Sequence, residues 1–518
     1  MSVPAQIFSA NLLATLVAGG VEHIYLAPGS RSQSLAIAAD QLARAGKVKL
    51  HVRIDERSMA FSALGTALAS QRPVALITTS GTAVANLHPA VLEAHHAGVP
   101  LLLLTADRPD ELRGVGANQT TDQIGLFGPA VQHVFDVEAP VADEDEATSA
   151  QELAAAALEL IANHPGPIQL NLAFREPLSS LTPDAAAIFV DVAEPEITYE
   201  PIFAVLDAQP NTVVIAGAGA GETAVELAES FGWPLFAEPS SGARYGANAI
   251  ANYRRLLENN HDLVEEIQRV IVFGKPTLSR KVNALFFNEA IETVVVRSKS
   301  HGHFDIAKRA SQIVDEISVD DEVDFDWLTK WRSVDKNFEA QISNQLDRPN
   351  IIREIYEATG DGDCLVLGAS RMIRVADEFA PVKPLAVFSN RGLAGIDGTI
   401  STATGVALTY PKDGGITRAL MGDLTALHDV GGLAIDAQDG ELDLQLVVVN
   451  DGGGSIFEGL EVAQAKDSFD RVFKTKQHVD FWHLAEAYGW KYVRVESLAQ
   501  LAPALQATGR VLVEIALA

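Results

Sequence analysis

Three oxygen donors follow two apolar segments in the last third of the chain, and their chemical types suit a divalent cation. Asp423 comes after the apolar run 417–421, while Asn450 and Gly452 come after the apolar run 444–449. Both runs are typical of buried parallel strands, whose C-terminal ends are where open α/β sheets bind ligands. A carboxylate, an amide oxygen and a backbone carbonyl are hard ligands suited to a Mg²⁺ that also holds a diphosphate. The spacing alone is equally compatible with two polar turns one βαβ unit apart.

A further acidic residue, in the first part of the chain, lies where a strand passes into a helix. Glu56 follows the predicted strand 50–54 and precedes the predicted helix 58–69. A glutamate at a helix start is often explained by the helix dipole, so the position alone does not establish a chemical role.

Three segments combine arginine with small or polar residues. Arg31 lies in the turn 28–32, ahead of a helix predicted to begin near Gln33, so backbone N–H groups and a guanidinium could converge on one anion. Arg108 lies in the segment 105–109, and Arg391 in the segment 389–392. Any single arginine is commonly a solvated surface residue, so the set carries more weight than its members.

The composition limits the classes of function. The chain has 518 residues, of which 47% are hydrophobic, which favours about three domains. Its 39 basic and 68 acidic residues give a net charge of −29, which disfavours binding to nucleic acid or anionic lipid, so an anionic substrate needs a local cationic pocket. The single Cys364 excludes an intramolecular disulfide and is expected to be buried. No signal peptide or membrane span is predicted, which favours a cytoplasmic protein.

The positioning elements form three α/β units of the doubly wound, parallel-sheet class. Short apolar strands alternate with amphipathic helices over 1–180, again over 195–325, and again over 345–518. The stretch 176–201 is predicted to be a linker, and the acidic segment 315–326 to separate the second unit from the third. The third unit mirrors the first in length and rhythm, so a cofactor with two ends could be held by one unit at each end.

Two other motifs have simpler explanations. The glycines of 217–221 follow a strand, but the third glycine comes one position too early for the G-x-G-x-x-G dinucleotide fingerprint, so a tight turn is predicted. The pair His95-His96 precedes Gly98 at a predicted helix end and is interpreted as structural.

Together these motifs, with the segment 79–86, resemble the thiamine-diphosphate-dependent enzymes, and most closely the menaquinone-pathway 2-succinyl-5-enolpyruvyl-6-hydroxy-3-cyclohexene-1-carboxylate synthases. The resemblance covers nearly the whole chain and is weakest in the middle unit, where only 274–280 is similar. One departure is that Val449 stands where these enzymes usually have the first of two asparagines. The resemblance implies a pyrimidine-binding first domain, a Rossmann-like central domain and a third domain that binds diphosphate and metal.

The resemblance also implies roles for individual residues. Mg²⁺, with Mn²⁺ as a substitute, would be bound by Asp423, Asn450 and Gly452. Thiamine diphosphate would contact Glu56, Ser80, Gly81, Asn86, Gly422, Asp423, Leu424, Asn450, Gly452, Gly453, Ile456 and Phe457. The substrates would contact Ser30, Arg31, Arg108, Asn118, Gln119, Lys275, Arg280, Ser370, Arg374 and Arg391. The catalytic set would be Glu56, Arg31, Gln119, Ser370 and Arg374, with the Glu56 carboxyl favouring the imino tautomer of the aminopyrimidine.

The implied reaction is a transferase reaction between two dicarboxylates. 2-Oxoglutarate would lose CO₂, and the remaining succinyl unit would add to isochorismate. Both substrates bear two carboxylates, which the forked guanidinium of arginine binds better than the ammonium of lysine. The resemblance further implies a homodimer or homotetramer with active sites at the subunit interface. Two alternatives stay open: an acetolactate-synthase-like or other 2-oxoacid decarboxylase, and an inactive thiamine-diphosphate sensor.

Overall fold

Three parallel β-sheets account for the alternating pattern of the sequence. The computed structural model describes residues 3–141, 145–208, 210–298, 302–319, 325–338, 343–410 and 414–517. Two compact units form: one comprises Met1–Tyr199, Asp397–Tyr410 and Asp429–Leu442, and the other comprises Glu200–Ile396, Pro411–His428 and Asp443–Ala518. The α/β class with parallel sheets is therefore confirmed. The boundaries of the three predicted domains stay a prediction.

The first sheet has six strands in the order β2-β1-β3-β4-β6-β5. The strands are β1 (His23–Leu26), β2 (Lys49–Val52), β3 (Val74–Thr78), β4 (Leu101–Asp107), β5 (Val134–Val137) and β6 (Pro167–Ala173). The helices are α1 (Pro4–Ala18), α2 (Gln33–Arg44), α3 (Glu56–Ser70), α4 (Thr82–Ala85), α5 (His88–Ala97) and α6 (Glu146–Asn163). The central strands are buried on both faces, because helices cover both sides of a parallel sheet.

The middle sheet has five strands in the order β12-β11-β10-β8-β9, and β13 pairs separately with β7. The strands are β7 (Phe203–Leu206), β8 (Thr212–Ala216), β9 (Leu235–Ala237), β10 (Arg269–Phe273), β11 (Glu292–Val296), β12 (Ala310–Val314) and β13 (Glu316–Val319). The helices are α7 (Thr223–Ser230), α8 (Tyr253–Asn259), α9 (His261–Glu265), α10 (Arg280–Phe287) and α11 (Asp326–Asp335). The acidic segment 315–326, predicted to separate the second unit from the third, therefore contains the strand β13. Residues 320–324 of this segment lie outside the described residues.

The third sheet has six strands in the order β15-β14-β16-β17-β19-β18, which is the same relative order as in the first sheet. The strands are β14 (Cys364–Leu367), β15 (Ala386–Phe388), β16 (Thr417–Gly422), β17 (Leu444–Asn450), β18 (Lys491–Val495) and β19 (Arg510–Ala516). The helices are α12 (Arg348–Ala358), α13 (Arg371–Phe379), α14 (Thr399–Ala407), α15 (Asp423–His428), α16 (Lys466–Ser468), α17 (Phe481–Ala487) and α18 (Leu498–Ala504).

Short 3₁₀ segments and one π-helical turn fill several connections. The 3₁₀ segments are Asp110–Leu112, Gly128–Ala130, Ala185–Ala187, Lys336–Phe338, Val430–Leu433, Ala437–Asp439, Ser455–Gly459 and Glu461–Gln464, and the π-helical turn is Phe469–Lys474. No helix in the described ranges is long and apolar enough to cross a membrane.

The glycines of 217–221 are explained by close backbone packing, as the tight-turn interpretation requires. A Cβ on Gly217 would lie 2.0 Å from the backbone nitrogen of Pro276, and Gly219 and Gly221 have φ values of 82° and 72°. His95 also lies where expected, in the last turn of α5, with Gly98 as the C-cap at φ 68°. Cys364 is buried in β14, where burial raises the pKa of its thiol to about 12.

Candidate functional site

The predicted metal ligands lie at the C-terminal ends of neighbouring strands. Asp423 begins α15 directly after β16, and Asn450 is the last residue of β17, which pairs with β16 in parallel register. Asp423 is only 4% exposed, and burial together with the nearby Asp451 raises the pKa of its carboxyl. A buried carboxylate in this setting is stabilised by a cation, so the pair fits a metal site.

Two sets of hydrogen bonds hold residues 450–455, which we call the metal loop. The Asn450 Nδ2 donates to the Glu514 Oε1 at 2.7 Å. The Asp451 Oδ2 accepts from the Arg348 Nη2 at 2.5 Å and from the Ser455 Oγ at 2.6 Å. These contacts engage the Asp451 Oδ2, and the Asn450 Oδ1 accepts from the Gly452 backbone nitrogen at 3.4 Å.

The surroundings of the metal loop leave room for a charged group. A Cβ on Gly422 would meet no atom within 4 Å, and Gly452 and Gly453 have φ values of 77° and 117°. A cavity of about 1360 Å³ borders Asn450 and Gly452 and is also lined by Lys474, Lys476 and Arg494. Glycine φ values of this kind turn successive backbone groups toward a ligand.

The donor set is mixed rather than a carboxylate cluster. Within the described ranges, no group of three or more His, Cys, Asp and Glu side chains is arranged to hold a metal. One carboxylate, one amide oxygen and one carbonyl suit Mg²⁺ only when a diphosphate and water complete its octahedral shell. The residues present therefore fit a metal that is shared with a phosphorylated cofactor.

Apolar residues predicted to contact the cofactor flank this loop. Leu424 lies in the first turn of α15, and Ile456 and Phe457 lie in the 3₁₀ segment Ser455–Gly459. All three side chains are half-buried, and the Phe457 ring centroid lies 5.6 Å from that of Phe473.

Glu56 is the first residue of α3, whose N-cap is Asp55. The Asp55 side chain accepts from the backbone nitrogens of Arg57 and Ser58, which fixes the start of the helix. Further along, α3 packs closely on α14: a Cβ on Gly65 would lie 2.1 Å from the Thr402 carbonyl oxygen, and the Thr66 Oγ1 donates to the Gly405 carbonyl at 3.0 Å. Glu56 therefore projects from a helix whose start and packing are both fixed.

The first sheet brings several predicted substrate residues together. Arg31 is 7% exposed and donates from its Nη1 to the Phe174 carbonyl at 2.8 Å. Arg108 donates from its Nη2 to the Asn118 carbonyl at 2.9 Å. Burial, and then the charge of Arg108, lower the pKa of Arg31. Two cations whose charges act on each other in this way favour an anion.

Gln119 links this group to the predicted pyrimidine-binding segment. Its Nε2 donates to the Ser80 carbonyl at 2.9 Å, and its own carbonyl accepts from the Ser80 Oγ at 2.8 Å. Its φ is 54°, a strained value for a residue with a side chain. Ser30 and Asn86 are exposed, and the Ser30 Oγ accepts from the Gln33 Nε2 at 3.2 Å.

A second cationic group lies beside α13. Ser370 is the N-cap of the helix, not a member of it, with φ 91°, and the Arg374 Nη1 donates to its carbonyl. Ser370 and Arg374 are therefore in direct contact across the first turn of the helix. Burial, followed by the charges of Arg391 and Arg254, lowers the pKa of Arg374.

The middle sheet supports this second group through buried carboxylates. The Arg391 Nη2 donates to the Thr277 Oγ1. The Glu238 Oε1 accepts from the backbone nitrogens of Thr277 and Leu278 at 2.7 and 2.6 Å. Burial and the nearby Asp377 raise the pKa of Glu238 to about 8. Lys275 is half-buried beside this loop, and Arg280 is exposed at the start of α10.

Comparison with known proteins identifies the family. Residues 8–126 match the N-terminal TPP binding domain of thiamine pyrophosphate enzymes, and residues 368–515 match the C-terminal TPP binding domain. A 2-succinyl-5-enolpyruvyl-6-hydroxy-3-cyclohexene-1-carboxylate synthase of Leifsonia xyli is 43% identical, with 97% of this chain and 94% of the relative covered. Synthases of the same name from Nocardioides sp. (44% identical, 96% and 91% covered) and Saccharopolyspora erythraea (37%, 96% and 92%) are also similar.

The chain belongs to this synthase family. The first matched domain contains Glu56, Arg31, Arg108 and Gln119, and the second contains Ser370, Arg374 and the metal loop. The family resemblance predicted from the sequence motifs is thus confirmed, as is the thiamine-diphosphate enzyme class.

The family motifs do not include several residues that hold the site. Gln123 is 1% exposed; its Oε1 accepts from the Gly81 nitrogen at 2.9 Å, and its Nε2 donates to the Asn171 Oδ1 at 2.8 Å. Glu514 and Arg348 hold the metal loop. A sequence signal exists for Glu514 alone, since it is an acidic residue inside an otherwise apolar strand.

Proposed function

We propose that this chain catalyses the decarboxylation of 2-oxoglutarate and the 1,4-addition of the resulting succinyl unit to isochorismate. The product would be 2-succinyl-5-enolpyruvyl-6-hydroxy-3-cyclohexene-1-carboxylate, with release of CO₂, in menaquinone biosynthesis. The observation that carries the proposal is the presence of two separate cationic pairs, Arg31 with Arg108 and Arg374 with Arg391, in which one charge lowers the pKa of its neighbour. Two substrates that each bear two carboxylates require such local positive charge on a chain of net charge −29.

Thiamine diphosphate, when bound, supplies the electron sink for decarboxylation of a 2-oxo acid. Asp423, Asn450 and the Gly452 carbonyl would hold its Mg²⁺, or Mn²⁺ in its place. Leu424, Ile456 and Phe457 would contact its apolar parts. Gly422 and Gly453 would lie against its phosphates; a Cβ on Gly422 would meet no atom within 4 Å, whereas one on Gly453 would lie 2.2 Å from the Lys474 carbonyl oxygen.

Glu56 would hold a proton at its carboxyl group and share it with the pyrimidine. Its place at a capped helix start fixes the backbone from which the side chain projects, while its half-exposed position leaves it open to a ligand. In the first sheet, Ser80, Gly81 and Asn86 would line the same end of the cofactor.

The arginines would bind and orient the carboxylates of the substrates. Arg31 is buried and its guanidinium is anchored on the Phe174 carbonyl, so little side-chain freedom is lost on binding. Arg374 and Arg391 would stabilise the negative charge that develops on the ring carboxylate side of isochorismate during addition. Ser30, Asn118, Gln119, Lys275, Arg280 and Ser370 would complete the contacts.

We also propose a cytoplasmic homodimer or homotetramer with active sites at the subunit interface. This proposal rests on the family resemblance. Size-exclusion chromatography with light scattering, combined with activity at increasing dilution, tests it: an active monomer would contradict it.

The test of the reaction is a reconstitution followed by mass spectrometry. The protein is incubated with thiamine diphosphate, Mg²⁺, 2-oxoglutarate and isochorismate, and each component is omitted in turn. We expect the succinylated adduct only in the complete mixture. Turnover of pyruvate with no adduct from isochorismate would overturn the proposal in favour of an acetolactate-synthase-like activity, and bound cofactor without any product would indicate a sensor.

A further inference from the structure

The third sheet contains a buried acidic side chain that the proposed reaction does not use. β19 is apolar from Val511 to Ile515 except for Glu514, which is 4% exposed. A carboxylate inside a central strand costs free energy unless it is well hydrogen-bonded, because burial removes it from water. Its position therefore calls for a role in the protein.

Three contacts surround the Glu514 carboxylate. Its Oε1 accepts from the Asn450 Nδ2 at 2.7 Å. Its Oε2 accepts from the Tyr492 hydroxyl and lies 3.6 Å from the Arg494 Nη1. Asn450 lies on the neighbouring strand β17, where Val448 pairs with Glu514 and Asn450 pairs with Ala516. The pairing register thus places the carboxylate next to the asparagine amide.

We infer that Glu514 is a positioning residue that fixes the amide orientation of Asn450 so that its oxygen is the atom presented to the metal. An asparagine amide has a donor end and an acceptor end of almost the same shape. A carboxylate can only accept, so Glu514 selects the orientation in which Nδ2 points toward it and Oδ1 points away. The inference rests on the proposed role of Asn450 as a metal ligand.

The neighbouring contacts point to the same arrangement. Asp451 is the stronger oxygen ligand by charge, but Arg348 and Ser455 both bind its Oδ2. With the Asp451 Oδ2 engaged, Asn450 contributes a neutral amide to the metal loop, and a neutral ligand is useful only if its oxygen, not its nitrogen, faces the cation. Glu514 supplies that selection.

The test measures Mg²⁺ affinity by calorimetry, with thiamine diphosphate present and no substrate. Glu514→Met keeps the length and unbranched shape of the side chain but cannot accept a hydrogen bond. We expect it to weaken Mg²⁺ binding by about tenfold to a hundredfold, the usual effect of losing a partner of a metal ligand. Glu514→Gln keeps an acceptor oxygen for Asn450, and we expect its affinity to stay near that of the wild type.

Two controls separate positioning from general damage. Asp363→Asn alters another acidic side chain, which lies just before β14 of the same sheet and pairs with the Arg418 guanidinium at 2.6 Å. This variant should lower thermal stability without changing Mg²⁺ affinity. In an Asn450→Ala background, Glu514→Met should cause little further loss, because Glu514 acts through Asn450. If Glu514→Met does not fold, Glu514→Leu provides the same comparison.

The outcomes distinguish this inference from the proposed function. If Asn450→Ala weakens Mg²⁺ binding but Glu514→Met does not, the positioning role is overturned and the metal site stands. If Asn450→Ala leaves Mg²⁺ affinity unchanged, the metal site and the positioning role are both overturned. Equal losses in Glu514→Gln and Glu514→Met would also overturn the inference, since the glutamine retains the acceptor.

Discussion

Glu56 and the metal loop belong to separate compact units and are held by different kinds of interaction. In the metal loop, Asn450 donates a hydrogen bond to the Glu514 carboxylate, and the Asp451 carboxylate accepts from Arg348 and Ser455. Glu56 is fixed indirectly, through the Asp55 cap and the packing of α3 on α14. A metal needs lone pairs in set directions, whereas a group that exchanges a proton must not be committed to a strong charged partner. The two sites are therefore held differently because one binds a metal and the other exchanges a proton.

The largest expected effect is a loss of activity on substitution of Glu56, with the metal loop left intact. Glu56→Gln removes the exchangeable proton of the carboxyl while keeping its size, so we expect activity to fall by roughly 10²–10⁴-fold. Binding of Mg²⁺ and thiamine diphosphate should change little, because the metal loop is in the other unit. Steady-state kinetics and calorimetry measure the two quantities. Near-normal turnover would contradict the role of Glu56.

The next prediction concerns the helix packing that holds Glu56. A Cβ on Gly65 would lie 2.1 Å from the Thr402 carbonyl oxygen, so Gly65→Ala forces the backbones of α3 and α14 apart. We expect a loss of about 1–3 kcal/mol in unfolding free energy, despite the better helix propensity of alanine. Gly125→Ala, at a position where a Cβ meets nothing within 4 Å, is the matched control in urea unfolding. Equal stability of the two variants would argue against close packing.

A pH experiment tests the buried carboxylate that supports Arg391 through Thr277. Arg31 is anchored on a backbone carbonyl, but Arg391 contacts Thr277, whose backbone nitrogen donates to Glu238. The pKa of Glu238 is raised to about 8 from 4.5, so the folded protein keeps a proton that the unfolded chain has released. Stability should therefore decline as the pH rises from 4.5 to 8.

Glu238→Gln mimics the protonated carboxyl and should reduce that decline. Urea unfolding at several pH values measures it, with Glu461→Gln as a control on an exposed side chain. A decline as steep as that of the wild type would show that Glu238 does not retain its proton.

The smallest expected effect concerns strain at Ser370. Its φ of 91° and ψ of −135° nearly repeat the 82° and −135° of Gly81, a residue that tolerates them. Ser370→Gly should relieve strain that Ser370→Ala keeps, so the glycine variant should be more stable by about 1 kcal/mol. Both variants lack the hydroxyl, so any shared loss of activity reports on that group alone. Equal unfolding midpoints would show that the backbone is not strained.

Much of the fold could be predicted because the central strands are buried on both faces. β3 and β14 are continuous runs of buried and mostly apolar residues, which a sequence pattern can indicate. The edge strand β18 was not predicted, because four of its five residues are exposed or half-buried and only Val495 is buried. β13 was not predicted either, because it lies in an acidic segment and pairs with a strand remote in sequence.

The residue types of the site could be predicted from the sequence, but the contacts that hold these residues in place could not. Glu56, Asp423 and Asn450 stand where strands end, which a sequence pattern can indicate. The bond from Asn450 to Glu514 depends on the register between β17 and β19, and the Ser370 conformation depends on the turn it closes. Neither register nor backbone strain is encoded in a local residue pattern.

The shared strand order of the first and third sheets makes their strand ends comparable position by position. After the first strand of each sheet comes Ser-Arg, at Ser30-Arg31 and Ser370-Arg371. After the second comes Glu56 in one sheet and Arg391 in the other, and after the fourth comes Arg108 in one and Asp451 in the other. The scaffold is repeated, but the charge that follows the second and the fourth strand is of opposite sign in the two sheets, so the two copies are not interchangeable. A ligand with chemically different ends would have one orientation and not two.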